Sequence, residues 1–135
     1  MQTRQIRLPL PIDPELPAAF DSTPNDERSK AELDAWWDQP FLVTNGDGTL
    51  TARCLNGGSW DRSTALGRGT SVEDATVLAL AAQAAWVKRR SAPIAQVDEG
   101  VLRVVIQPQR PDEEARVLAA GLSAEQAQAI ISDAT

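Results

Sequence analysis

The chain predicts an α+β fold: an N-terminal arm and short helix, then two tandem βββα modules related by an internal repeat and packed as one unit. Three observations carry this. A long Ala- and Leu-rich stretch from Gly69 to Arg90 has helix-start chemistry at one end and a basic run at the other. It is preceded by short alternating segments separated by Gly- and Asn-rich turns. The same pattern of turn, strand and capped helix returns about 52 residues later.

In the long stretch, Ser71 is placed to accept from the free N–H groups of a first helical turn, and Glu73 and Asp74 suit the positive end of the helix dipole. Lys88, Arg89 and Arg90 suit the negative end, and Ala, Leu and Gln fill the middle. Between Ala75 and Val87 only Thr76 and Gln83 are polar, so the helix reads as apolar nearly all round. That predicts cover on at least two sides, by a second layer of the chain or by another subunit of a homodimer.

Before it, residues 1–39 form an arm, a linker and a helix. Ile6, Leu8, Leu10 and Ile12 alternate, and Pro11, Pro14, Pro17 and Pro24 follow, which reads as an extended segment lying along a sheet edge or a partner. Asn25-Asp26 is the expected cap of a helix running to about Trp37, with Leu33, Trp36 and Trp37 on its apolar side, and Pro40 stops it. The first module spans 40–90. Phe41–Thr44 is a strand, Asn45-Gly46-Asp47-Gly48 a hairpin turn, and Thr49–Leu55 the return strand with Leu50, Ala52 and Cys54 on one face. After Asn56-Gly57-Gly58-Ser59, Trp60-Asp61-Arg62 leads into a third strand ending near Arg68.

The second module spans 91–135. Pro93–Val97 and Val101–Gln107 flank an Asp98-Glu99-Gly100 turn, Arg116-Val117-Leu118 is the third strand, and Ser123 caps a closing helix over Ala127, Ile130 and Ile131. Without gaps, Gly48, Leu50, Leu66, Gly69, Ser71 and Ala75 align with Gly100, Leu102, Leu118, Gly121, Ser123 and Ala127. Neither module alone buries much core, so together they are expected to sandwich the long helix as one cooperative unit.

Composition narrows function. Net charge is −6, which disfavours bulk nucleic acid and anionic membrane as partners. The charge is uneven: residues 41–90 carry six basic and four acidic side chains, while the flanking segments are each net acidic. The absence of an apolar leader or spanning run predicts a cytoplasmic protein. There is no His and a single Cys, so a His-based catalytic dyad and a Cys/His zinc site are excluded. Cys54, in an apolar strand pattern, reads as packing. Asn45–Gly48 is a poor calcium loop, because Val43 and Cys54 stand where carboxylates belong. Asp112, Glu113 and Glu114 read as a solvated loop. No phosphate loop or dinucleotide fingerprint occurs. The chain is therefore expected to be no enzyme and to need no cofactor or metal.

Two candidate sites remain. Where the copies differ, the first has Gly57, Gly58, Trp60, Asp61 and Arg62 in a loop that presents an aromatic beside a guanidinium, the anchors most used in protein recognition. The other is the outer sheet face of the first module, which Thr64, Leu66 and Arg68 are expected to join and where Arg53, Arg62 and Arg68 would contact phosphates. A protein-binding regulator or inhibitor is the first expectation, nucleic-acid binding the alternative, and an acidic mimic of nucleic acid a third.

Gly69-Thr70-Ser71-Val72-Glu73-Asp74-Ala75, after three strands, resembles the strand-to-helix junction of the HicB-like antitoxin family, and Gly121–Ala127 repeats the pattern more weakly. The resemblance implies a compact βββα module that binds a partner without catalysis. The Asn56–Arg62 loop is longer than is usual there, and no helix-turn-helix or ribbon-type DNA-binding appendage accompanies it. The order β-β-β-α also resembles, in topology alone, small domains that lay a three-stranded sheet in a DNA groove.

Overall fold

A computed structural model describes residues 5–134. The sequence predicts one packed unit; the chain divides into two compact units, the first running through Ala85 and the second beginning at Trp86. Each is built on a three-stranded antiparallel sheet whose strands neighbour one another in chain order.

In the first unit, helix α1 (Lys30–Trp36) precedes strands β1 (Phe41–Thr44), β2 (Leu50–Cys54) and β3 (Thr64–Gly69); helix α2 (Val72–Arg90) follows, and its last turn, from Trp86, is counted with the second unit. The start of α1 differs from the expectation. Ser29 is its N-cap, accepting from the Glu32 N–H at 3.1 Å, and Asn25–Glu27 is a separate 3-10 turn. Residues 60–62 belong to a loop, and β3 begins only at Thr64. The β1–β2 turn forms as expected, with Gly48 at φ 86° and the Asn45 N–H donating to the Thr49 carbonyl.

The sheet is covered on both faces. Leu42, Leu50 and Ala52 pack with Leu10 and with Ala75 and Ala79 of α2. On the other face Phe41 and Leu55 pack with Phe20, Leu33 and Trp37, with Trp36 and Val43 at the margin. The rings of Phe20, Trp36 and Phe41 meet edge to face, the closest centroids 5.5 Å apart, each such pair adding about 0.5–1.5 kcal/mol to its burial. The paired tryptophans are thus core anchors, and Cys54 is fully buried.

The arm lies along the free edge of β1. The Leu42 N–H donates to the Pro11 carbonyl and the Asp13 N–H to the Leu42 carbonyl, each at 2.8 Å. Asp13 then accepts from the Thr44 N–H at 2.8 Å and the Thr44 hydroxyl at 2.6 Å, which holds its carboxyl below the usual range. A lowered folded-state pKa adds stability above the ordinary carboxylate range, and that stability is lost as pH falls through the folded value. Melting of the wild type is therefore expected to fall more on acidification than melting of Asp13→Ala; equal losses across the acid range would show that the arm is not pinned this way.

One expectation about faces is corrected. The register shifts between Ala52 and Arg53, so Ala52 pairs Gly67 while Arg53 pairs Ala65. The bulge turns Leu66 from the outer face to the α2 side, where it packs against the Leu10 cluster. Within the chain, helix α2, expected to be covered on at least two sides by a second layer or by another subunit, buries one stripe, Ala75, Ala79 and Gln83; Val77, Ala81, Ala84 and Ala85 on the opposite side are exposed.

The second unit follows the same order: β4 (Ile94–Asp98), β5 (Val101–Ile106), β6 (Arg116–Ala120) and helix α3 (Ala124–Asp133), which packs on β4 and β5. Val104, Val105 and Ala127 are its buried apolar side chains. Ser123 caps α3 with a reciprocal bond from its own N–H to the Gln126 side chain. The β5–β6 register also shifts, between Val104 and Val105, and the pair Val105↔Val117 lies 52 residues after Arg53↔Ala65. The first hairpins differ. Asp98 pairs Val101 across a tight Glu99-Gly100 turn with both φ angles positive, whereas Thr44 pairs Leu50 across the longer Asn45–Thr49 turn.

Candidate functional site

The loop between β2 and β3 is anchored at its base by a buried polar chain. Asn56, Gln83 and Asp38 are all nearly inaccessible. The Asn56 amide donates to Gln83 Oε1 at 2.8 Å, and Gln83 Nε2 donates to Asp38 Oδ1 at 2.9 Å. Asn56 Oδ1 in turn accepts from the Gly58 N–H at 3.0 Å, which starts the turn. Gly57 sits at φ 82°, and a Cβ there would meet the Trp37 ring at 3.3 Å. At Gly58 a Cβ would come within 2.6 Å of the Thr64 hydroxyl. A side chain at either position would crowd Trp37 or Thr64, so the loop's close packing calls for glycine at both.

Beyond the base, the N-terminal segment grips the loop backbone. Asn25 donates from its side chain to the Ser59 carbonyl and from its N–H to the Trp60 carbonyl, both at 2.7 Å. Arg28 donates to the Asp61 carbonyl at 3.3 Å. Asp21 Oδ1 accepts from the N–H and the hydroxyl of Ser63, each at 2.8 Å. Arg28 is itself buried, bonded to Asn25 Oδ1 and the Phe20 carbonyl, and stacked 5.1 Å from the Phe20 ring centroid. Asn25, Arg28 and Asp21 are the residues sequence reasoning missed as site-builders. Their sequence pattern is ordinary helix-cap and turn chemistry, and only the fold carries them to a loop more than thirty positions away.

On this rigid backbone Trp60 stands 70% exposed. Trp is highly buried on average, and this one is largely open. Beside it Arg62 forms a two-pronged pair with Asp61, at 2.9 and 3.2 Å. The guanidinium's hydrogen bond holds the Asp61 carboxyl below its usual range, and the same bond raises Arg62. The loop thus offers an indole face next to a fixed, charge-balanced pair.

The arginine face takes a different shape from the one expected. Arg53 is half-buried and donates to the Ser63 hydroxyl at 2.9 Å and the Ser63 carbonyl at 2.8 Å. Arg62 is paired with Asp61, and Arg68 with Asp47 and the Thr49 hydroxyl. Phosphate contact would require these bonds to be exchanged, and Phe20, Leu33 and Trp37 already cover part of that sheet face. Among the described residues no three metal-ligating side chains converge, and no helix is long and apolar enough to cross a membrane. No protein-family model, no curated protein and no solved structure matches this chain.

Proposed function

We propose that this chain is a small, non-catalytic protein-binding module, a regulator or inhibitor of a protein partner, that engages the partner through the Trp60 loop. The observation that supports this reading is the exposed indole of Trp60 on a backbone gripped at Ser59, Trp60, Asp61 and Ser63 by the N-terminal segment. A loop ordered before binding loses little conformational entropy on docking, so the apolar surface of one Trp is spent on affinity. The HicB-like resemblance of the Gly69–Ala75 junction points to the same class of function. The tandem repeat belongs to this reading too. It is supported by the matched bulges at Ala52/Arg53 and Val104/Val105 and by helix starts at Val72 and Ala124.

Trp60→Ala is expected to weaken partner binding by about 2 kcal/mol or more, roughly thirtyfold, while leaving the melting temperature unchanged, since a surface truncation costs within about 0.5 kcal/mol. The check is a nuclease-treated pull-down from native lysate with both proteins. A stoichiometric partner held by the wild type and lost by the variant supports the loop. A partner held equally by both rejects it, and recovery of nucleic acid in place of protein favours the arginine face.

A further inference from the structure

The exposed side of α2 is built to meet its own copy. Helical positions advance by about 100° per residue. On that geometry Ala81 points directly away from the buried stripe of Ala75, Ala79 and Gln83. Around Ala81 lie Val77, Leu78, Ala84 and Ala85, all exposed, with Val77 66% accessible. Glu73 and Asp74 sit at one end of this face and Lys88 and Arg89 at the other, and all four are exposed. The arrangement is symmetric about Ala81: Glu73 and Arg89 are equally distant from it, as are Asp74 and Lys88, Val77 and Ala85, and Leu78 and Ala84. Among the described residues Glu73, Lys88 and Arg89 have no ion-pair partner within the chain; Arg89 rests only over the Trp86 ring, at 5.6 Å.

We infer that two copies of this chain associate through α2, antiparallel, about a two-fold axis at Ala81, with Glu73 and Asp74 of each copy facing Arg89 and Lys88 of the other. An isologous contact needs a self-complementary patch, and this face has one. Small side chains at Ala81, Ala84 and Ala85 let the two backbones approach closely, and the antiparallel arrangement also opposes the two helix dipoles. A single helix face is smaller than a standard interface of about 1,600 Å², so the dimer is expected to be a micromolar one. This surface is separate from the Trp60 loop, so either proposal stands without the other.

Sedimentation velocity on the full chain, from about 10 µM to 1 mM, tests it with three proteins: the wild type, Glu73→Lys, and the double variant Lys88→Glu/Arg89→Glu. Wild type is expected to dimerise across this range. Each variant alone is expected to self-associate at least about tenfold more weakly, because like charges then face each other. An equimolar mixture of the two is expected to form a heterodimer at least as tight as the wild-type dimer. A wild type that stays monomeric, variants that dimerise unchanged, or a mixture that fails to recover association would overturn the proposal. Ala81→Cys, at an exposed position, gives a check independent of charge. Two-fold symmetry places the new thiol opposite itself, so oxidation is expected to cross-link it well ahead of a Glu114→Cys control. Equal rates would also overturn it.

Discussion

Gly69→Ala is expected to destabilise the first unit by about 3 kcal/mol, the upper end of what overpacking costs. A Cβ at this position would lie 2.5 Å from the Ala75 nitrogen, 2.7 Å from its Cα and 3.0 Å from its Cβ. Two of these are backbone atoms of α2 and cannot turn aside as a long side chain would. Gly69 is also the last residue of β3, paired with Leu50, and Ala75 is fully buried beneath the helix. Any relief must move the helix off the sheet and open the Leu10–Leu42–Ala79 cluster. Gly121, at the corresponding place after β6, has nothing within 4 Å of its would-be Cβ but sits at φ 67°. Ala there pays only for its left-handed backbone, about 1–2 kcal/mol. Urea unfolding of both variants checks the pair: the midpoint should fall much further for Gly69→Ala, and a loss under about 1 kcal/mol there would show that α2 does not cross β3 so closely.

Gln83→Leu is the second large effect, expected at about 3–5 kcal/mol despite similar size and greater hydrophobicity. Gln83 is the one polar side chain in the buried stripe of α2, 1% exposed. It is both donor and acceptor, giving a proton to Asp38 Oδ1 and taking one from Asn56 Nδ2. Leucine removes both bonds at once and leaves a buried carboxylate oxygen and a buried amide N–H without these partners. Asp38 is only 4% exposed, so its carboxyl has little access to water. Because Asn56 also orders Gly58, the damage should extend to the loop. Amide exchange at Gly58 is expected to accelerate along with the fall in melting temperature. A variant as stable as the wild type would mean that the polar chain contributes nothing to this core.

The strands, the β1–β2 turn and the caps of α2 and α3 were legible in the chain because each is dictated by near neighbours, whereas the cap of α1 fell at Ser29 rather than at Asn25-Asp26. Asn45–Gly48 demands a turn, Leu50, Ala52 and Cys54 alternate, and Ser71 and Ser123 each precede a helical run. What was hidden depends on contacts distant in sequence. A bulge opposite Arg53 reverses the face of Leu66, and no local pattern in Ala65-Leu66-Gly67 announces it. The even spread of apolar residues around α2 called for cover on at least two sides and did not say which side the chain itself supplies. Alanine tolerates water and core alike, so hydrophobicity alone could not tell the buried Ala75 and Ala79 from the exposed Ala81 and Ala84. At the candidate site, Trp60, Asp61 and Arg62 were singled out because the two copies differ there. The clamp of Asp21, Asn25 and Arg28 was not, because its partners are mostly backbone carbonyls, which every residue carries.

The arm on β1 has a further meaning for how the sheet ends. A strand edge with free N–H and C=O groups invites another strand, from this chain or from any other. Here the visitor is already installed, and it is a poor host in turn. Pro11 and Pro14 flank the bridge at Ile12 and have no N–H to offer a newcomer. The first strand is thus closed by a segment that can add itself to the ladder but cannot pass the ladder on. Were the arm cut away, the core would lose Leu10 and the edge would lose its stopper together, so a nick in this short stretch would convert a self-limiting sheet into a seed for aggregation.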